Sequence, residues 1–413
     1  MRPGIPAATL LPRRDRQATI AGWSATAYGV AMAVPFLDLR AQYAGLRDEV
    51  ETAMAAVIED QKFILGPAVE AFESDFAAVL GARHAVGCAS GTDALFLALR
   101  ALELTPGDEV VVPAFTFFAT AGAVWNAGLR PRFADVDNET FNLTVETLEA
   151  AVTSRTRAVI VVHLFGQMAP MEPILAYCQA HDLAVIEDVA QAFGARQEIG
   201  GVWRNAGTVG AAGCFSFFPT KVLGGFGDGG LVATDDERIA RRVRSLRVHG
   251  SEEIYRHDLV GVNSRLDALQ AAVLRVKLPH AREWVRSRRA VARAYDSLLA
   301  RLSPAVRTPP VARYNESAHN VYTIRVERRD ELRRWLGDAG IATSVYYPIP
   351  LHLQPCFAEL GHRPGDLPVS EQLATEVVSL PIYPEMSEAQ IDEVVSRIAS
   401  FYEGPARSGS DAR

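Results

Sequence analysis

A lysine that follows an apolar run and precedes a dense glycine loop is placed to work as an amine rather than as a surface charge. Lys221 closes the stretch Cys214-Phe215-Ser216-Phe217-Phe218-Pro219-Thr220 and is followed closely by Gly224-Gly225-Phe226-Gly227-Asp228-Gly229-Gly230. Burial disfavours the ammonium form, so such a lysine gives up its proton nearer neutral pH and can attack an aldehyde to form a Schiff base. The glycines let the backbone close on a flat ligand. Taken alone, a surface lysine after a turn is the plainer account. The partners elsewhere in the chain change that balance.

Leu183-Ala184-Val185-Ile186-Glu187-Asp188-Val189-Ala190-Gln191 is an apolar run ending in two carboxylates. Runs of this kind are expected as buried parallel strands, whose carboxyl ends collect ligands. Asp188 at such an end can hold a proton on a pyridine nitrogen and keep the ring an electron sink, and Gln191 can bond the ring's phenolic oxygen. An isolated Asp there is more simply a helix cap. Upstream, Ala85-Val86-Gly87-Cys88-Ala89-Ser90-Gly91-Thr92-Asp93-Ala94-Leu95 has the form strand, small-residue turn, helix. The free amides of that first helical turn and the Thr92 hydroxyl form a phosphate site, with ordinary capping by Ser90 or Thr92 as the alternative. Phe117, just past the run Glu109 to Pro113, can stack on a ring face, although most such phenylalanines are core.

The elements that must position these groups alternate. Short apolar strands are expected near Ala85 to Cys88, Glu109 to Pro113, Ala158 to Val162, Leu183 to Glu187, Cys214 to Phe217 and Leu231 to Thr234, with helical patterns between them. That alternation predicts a mostly parallel sheet flanked by helices. The stretch Lys277 to Arg293 carries Arg282, Arg286, Arg288, Arg289 and Arg293 on a helical pattern, either a solvated face or cations aimed at a diphosphate. Asn320 to Val326 alternates as a strand and Arg328 to Ala339 as a helix, suggesting a smaller α+β C-terminal domain. We expect an extension over 1–33, a large domain over 34–276, a linker helix and small domain over 277–403, and a tail over 404–413.

In this order the motifs resemble the DegT-type family of sugar aminotransferases, which depend on pyridoxal 5'-phosphate. The likeness runs through Phe63-Ile64-Leu65-Gly66-Pro67, Ser90-Gly91-Thr92-Asp93, Val162-His163-Leu164-Phe165-Gly166-Gln167, Glu187-Asp188-Val189-Ala190-Gln191 and the lysine loop. It continues through Gly261-Val262-Asn263-Ser264-Arg265-Leu266-Asp267 and Tyr346-Tyr347-Pro348-Ile349-Pro350-Leu351-His352. Many motifs in fixed order are specific where one is not.

The resemblance implies a fold-type I pyridoxal phosphate transferase. Lys221 is the catalytic amine, Asp188 pairs with the ring nitrogen and Gln191 with the ring oxygen. Gly91, Thr92, Asp93 and Ser216 surround the phosphate, and Phe117 stacks on the ring. Asn263 reaches the phosphate of the neighbouring subunit, so a homodimer with shared sites is expected. Arg265 is the candidate for the donor's carboxylate. His163, His352 and Tyr346 are candidate substrate contacts, with a structural role the plainer one for each histidine. The chain departs from the family pattern at Val222, where relatives carry Asn, and at Val262, often Tyr.

The implied reaction moves an amino group from an amino acid, L-glutamate in the relatives, to a keto group at C3 of a nucleotide-diphosphate hexose. A 4-keto substrate and a non-catalytic cofactor-binding regulator are the alternatives. A dinucleotide-dependent oxidoreductase is disfavoured, because its glycine fingerprint belongs after the first strand.

Composition agrees. The 413 residues are 49% hydrophobic, enough for a large core. A net charge of -7 argues against a nucleic-acid partner. Cys88, Cys178, Cys214 and Cys356 are widely spaced with no metal-ligand pattern, as expected for thiols in the cytoplasm. No stretch is apolar over the roughly 20 residues needed to cross a bilayer. Arg13-Arg14-Asp15-Arg16 before a weakly apolar stretch is a poor match to a twin-arginine signal. A disordered extension, or a true start at Met32, is expected instead.

Overall fold

The computed structural model describes residues 33–253 and 255–404. The expectations placed on residues 1–32 and 405–413 lie outside the described residues.

Seven strands form the central sheet: β1 (His84–Cys88), β2 (Glu109–Pro113), β3 (Arg130–Ala134), β4 (Thr156–Val162), β5 (Ala184–Asp188), β6 (Ala212–Ser216) and β7 (Gly230–Thr234). Their order is β1-β7-β6-β5-β4-β2-β3. Only β7 runs antiparallel, between β1 and β6. The other pairings are parallel, so the carboxyl ends of β1 to β6 share one edge.

The continuous apolar runs follow from burial on both faces. Val110, Val112, Ala158, Ile160 and Ile186 enter one core, whereas Val111, Val159, Val161 and Val185 enter the other. Side chains alternate along a strand, so a sheet covered on both sides needs apolar residues at every position. The helices Gly91–Ala101, Phe118–Asn126 and Glu237–Leu246 cover the first face; Pro67–Leu80, Met171–Ala180 and Ala268–Lys277 cover the second.

β3 escapes the strand pattern because Arg-Pro-Arg-Phe-Ala carries two arginines and a proline. It is the sheet's edge, and a proline there removes no ladder hydrogen bond from a central strand.

A third core gathers around a three-stranded antiparallel sheet of β8 (Val306–Arg307), β9 (Tyr322–Val326) and β10 (Val377–Leu380). Tyr295, Tyr322, Ile324, Leu336, Val378, Val394 and Ile398 fill it. Val34 joins it by pairing with Ile341. The helix Ala281–Leu299 links the two parts, placing Val285 in the sheet's core and Tyr295 and Leu299 in the other.

The basic stretch on this helix divides. Arg282, Arg286 and Arg293 are exposed. Arg288 is buried and donates to the carbonyls of Ile382 (2.8 Å), Asn320 (3.3 Å) and His319 (3.4 Å), and Arg289 bonds Glu316 and the Ser317 carbonyl. These two tie chain segments together; neither a solvated face nor a diphosphate site describes them.

Candidate active site

The sheet's carboxyl edge assembles the site. Ser90 follows β1 and caps the helix Gly91–Ala101, its hydroxyl accepting from Asp93 N–H at 3.1 Å. Among the described residues the N–H groups of Gly91 and Thr92 have no acceptor, leaving two donors at the positive end of a helix dipole. The turn is tight by design of its glycines. A Cβ on Gly91 would stand 2.6 Å from Ser216 Cβ, and one on Gly230 would stand 2.2 Å from Ser90 O. The sequence thus brings Gly91, Thr92 and Ser216 to one cradle.

Asp93 has a different task from the one expected. Its N–H is taken by Ser90 and its carboxylate accepts from Ser264 Oγ at 2.7 Å. A carboxylate turned toward a phosphate would repel it; this one anchors the segment Asn263-Ser264-Arg265, with Ser264 Oγ also accepting from Ala89 N–H. Asn263 is left exposed and Arg265 partly exposed, and Arg265 has no ion pair among the described residues.

Asp188 ends β5, buried, as the strand-end reading requires. Its Oδ2 accepts from Thr120 Oγ1 at 2.9 Å and its Oδ1 from Ala190 N–H at 3.1 Å. Burial pushes its pKa up, opposed by these two bonds and by Lys221 and His163 nearby. Lys221 lies within the turn after β6, its N–H bonded to Phe218 O at 2.9 Å. Burial lowers its pKa to about 8, with the Asp188 charge pulling the other way.

Gln191 is fixed at both ends. Its Oε1 accepts from Phe165 N–H at 2.8 Å, and its Nε2 donates to Tyr347 OH at 3.0 Å. Phe117 caps the helix Phe118–Asn126 with its ring 45% exposed, 6.1 Å from the Tyr347 ring. Tyr347 is therefore the member of the Tyr346-Tyr347 pair that joins the Asp188 site. Tyr346 packs edge-on against Phe36 at 6.2 Å and lies 5.5 Å from the Tyr347 ring.

Both histidines have structural partners, the plainer of the two roles expected for them. His163 is fully buried; its Nδ1 accepts from Ala169 N–H, so its Nε2–H donates to Glu187 Oε2 at 2.9 Å. Glu187 also accepts from Gly207, Val209 and Gly210 N–H, which leaves His163 no free nitrogen for a substrate. His352 is buried with its Nε2 on Glu371, and its Nδ1 has no hydrogen-bond partner among the described residues.

Two residues not expected at the site, Thr120 and Thr116, belong to it. They bond each other at 3.3 Å, and Thr120 reaches an acid 68 residues away. Their four-residue spacing at a helix start is the one local sign.

A buried carboxylate lacking a full counter-charge, an amine of lowered pKa beside it and a cradle of free amides fit pyridoxal phosphate: ring nitrogen, aldehyde and phosphate each meet a matching group. No cluster that could hold a metal ion occurs among the described residues.

A turn lysine within electrostatic reach of a strand-end acid on this sheet order fits a pyridoxal phosphate enzyme of the α/β class. The chain belongs to the DegT/DnrJ/EryC1/StrS aminotransferase family, whose model matches residues 45–399, and this family is pyridoxal phosphate-dependent. The fold and family expected from the motifs are thus borne out.

A UDP-N-acetyl-3-dehydro-alpha-D-glucosamine 3-aminotransferase of Acidithiobacillus ferrooxidans is 47% identical, over 90% of this chain and 99% of the relative. A pleiotropic regulatory protein of Geobacillus stearothermophilus is 48% identical over the same shares. Among solved structures, Streptomyces venezuelae DesV in complex with a ketimine intermediate has a TM-score of 0.86 at 44% identity, covering 90% of this chain and 98% of that one. Bacillus subtilis NtdA with bound cofactor PMP has a TM-score of 0.80 at 29% identity, covering 86% of this chain and 82% of that one.

Proposed function

We propose that this chain transfers an amino group from L-glutamate to C3 of a 3-keto nucleotide-linked hexose, using pyridoxal phosphate held at the Lys221 site. The observation that carries the reading is buried Lys221, its pKa lowered, within electrostatic reach of Asp188 at the end of β5, on the edge that also holds the Gly91 cradle.

When bound, pyridoxal phosphate supplies an aldehyde that exchanges amines and a ring that takes up electrons as the donor's α-proton leaves. The Gly91 and Thr92 amides and Ser216 hold the phosphate, Asp188 keeps the ring nitrogen protonated, and Phe117 covers a ring face. Gln191 Nε2, which donates to Tyr347 OH, would also donate to the ring oxygen. Lys221 Nζ accepts the α-proton of glutamate in one half-reaction and delivers a proton to sugar C3 in the other. 2-Oxoglutarate leaves before the sugar enters, so ping-pong kinetics follow.

Arg265 is the cation for the glutamate carboxylate. Arg265 is partly exposed, has no ion pair among the described residues and follows Ser264, which Asp93 anchors. We assign Asn263 to the phosphate of a partner subunit, which makes the active form a homodimer. Exposed Ile64, Phe218, Phe226 and Val260 supply apolar surface for that contact. We place a domain division near residue 276; the core around Tyr295 beyond the linking helix supports it, although Val34 joins that core and Leu351 and Phe357 pack into the central sheet's core.

Four free thiols suit the cytoplasm, and no described helix is long and apolar enough to cross a membrane. The C3 position and nucleotide link follow the 3-amination named for the Acidithiobacillus relative.

The test loads purified protein with pyridoxal phosphate and follows its visible absorbance. Glutamate should bleach the band, and a 3-keto UDP- or dTDP-hexose should restore it. Restoration by 4-keto sugars alone moves the site of amination. A band that glutamate never bleaches supports a regulator instead.

A further inference from the structure

We propose that Lys277 is a positioning residue for Lys221, holding the glycine turn that presents the reacting amine. It lies at the end of the helix Ala268–Lys277 with 3% of its surface exposed. Its Nζ donates to the carbonyl of Gly224 at 2.5 Å. The rings of Phe226 and Trp284 flank it, each 5.7 Å from the nitrogen. No carboxylate pairs with it among the described residues; Glu385 is felt only at a distance.

Burying a lysine without an acid partner is costly, and a methionine of similar length would fill the space without that cost. The polar group therefore serves its one acceptor, and that acceptor belongs to the turn that follows Lys221. Burial lowers the pKa of Lys277 to about 8, yet an amine and an ammonium both donate to a carbonyl, so the contact survives in either form.

The same helix grips the turn a second time. Gln270 Oε1 accepts from Phe226 N–H at 2.7 Å, and its amide lies so close that a Cβ on Gly225 would stand 2.8 Å from Oε1 and one on Gly227 3.0 Å from Nε2. Within the turn, Gly225 N–H bonds Phe217 O at 2.7 Å and Lys221 N–H bonds Phe218 O at 2.9 Å. Lys277 and Gln270 thus hold two neighbouring points, Gly224 O and Phe226 N–H, of a segment whose glycines give it little stiffness of its own. Small displacements of a reacting group cost rate steeply, which gives a remote clamp its leverage.

The inference rests on Lys221 being the reacting amine, and its test has one arm that needs neither cofactor nor turnover. Hydrogen exchange on the cofactor-free protein compares wild type with Lys277→Met and Lys277→Arg, using the strand 156–162 as internal reference. In Lys277→Met, amides of 222–230 should exchange about tenfold faster or more while the reference is unchanged, and Lys277→Arg should recover part of the protection.

In the loaded enzyme, kcat of Lys277→Met should fall roughly 10- to 100-fold with KM for glutamate within about twofold. Unchanged exchange in 222–230, or equal acceleration throughout the chain, overturns the clamp. If Lys277→Met does not fold, Gln270→Leu removes the second grip, and unchanged exchange there overturns it equally. A protein that never colours with pyridoxal phosphate defeats the cofactor reading and leaves the exchange result to decide the clamp.

Discussion

Thr120 Oγ1 donates to Asp188 Oδ2 at 2.9 Å, joining the first turn of one helix to the end of the central strand β5. The acid it holds is buried, with its pKa raised chiefly by desolvation, so each donor matters to its charge. Thr120→Val keeps the shape and removes the donor. We expect a loss of roughly 1.5 to 3 kcal/mol, the range for a hydrogen bond to a charged group, read from denaturant midpoints. Affinity for pyridoxal phosphate should fall about tenfold, and Thr120→Ser should restore most of both.

The Lys221 pKa of about 8 has two consequences of fixed sign. Only the free amine attacks an aldehyde, so the rate at which cofactor colour develops should climb with pH through about 8 and level above it. An ordinary lysine would keep climbing toward 10.5. Asp188 raises this pKa, so Asp188→Asn should move the inflection lower. Between about 8 and 10.5 the unfolded chain binds more protons at this lysine than the folded chain, so Lys221 makes cofactor-free stability rise with pH. Lys277, lowered to about 8 by burial, adds the same sign. A stopped-flow pH series and a denaturation series at two pH values check both.

What the chain shows of this before folding depends on how local the signal is. Lys221 with its glycines, Asp188 at an apolar run's end and Ser90-Gly91-Thr92 before a helix are contiguous patterns, and each lands on the carboxyl edge as the alternation requires. The contacts that complete the site are not contiguous. Thr120 meets Asp188, Tyr347 meets Gln191 across 156 residues, and Ser264 meets Asp93 across 171. No periodicity encodes such pairings; they arise when parallel strands bring their ends together. β3 hid for the opposite reason, its composition being that of an edge.

His163 supplies a test of structure against function. With both nitrogens engaged, it ties the residue after β4 to Glu187 on β5 and to the Ala169 amide. His163→Phe should cost roughly 1.5 to 3 kcal/mol of stability by leaving Glu187 short of a donor. The KM for the keto-sugar should stay within about twofold of wild type. A KM raised tenfold with unchanged stability would return this residue to the substrate site.

Gly91 tests the cradle directly. Its Cβ position lies 2.6 Å from Ser216 Cβ, closer than real side chains approach, and Ser216 is held in β6 by its pairing with Gly230 while Gly91 opens the helix packed against it. Gly91→Ala should force the helix start away from β6 and spread the phosphate donors. Charge-assisted contacts of this sort are worth roughly 1.5 to 3 kcal/mol, so affinity for pyridoxal phosphate should drop about 10- to 100-fold. Pyridoxal lacking the phosphate should bind wild type and variant alike, which isolates the effect from general damage.

The exposed Asn263 makes the last expectation the sharpest. If it completes the phosphate site of a partner, Lys221→Ala and Asn263→Ala are each deficient alone, because every site lacks one group. In a mixed dimer the two defects fall in the same site, leaving the other site with Lys221 from one subunit and Asn263 from its partner. Random mixing of equal amounts makes about half the dimers mixed, each with one intact site, so activity should return to about a quarter of wild type. The return should require unfolding or dissociation before mixing and should track the mixed species on a two-tag purification. If Asn263 serves only its own subunit, mixing leaves no intact site beyond those already present, and activity stays at the average of the two variants.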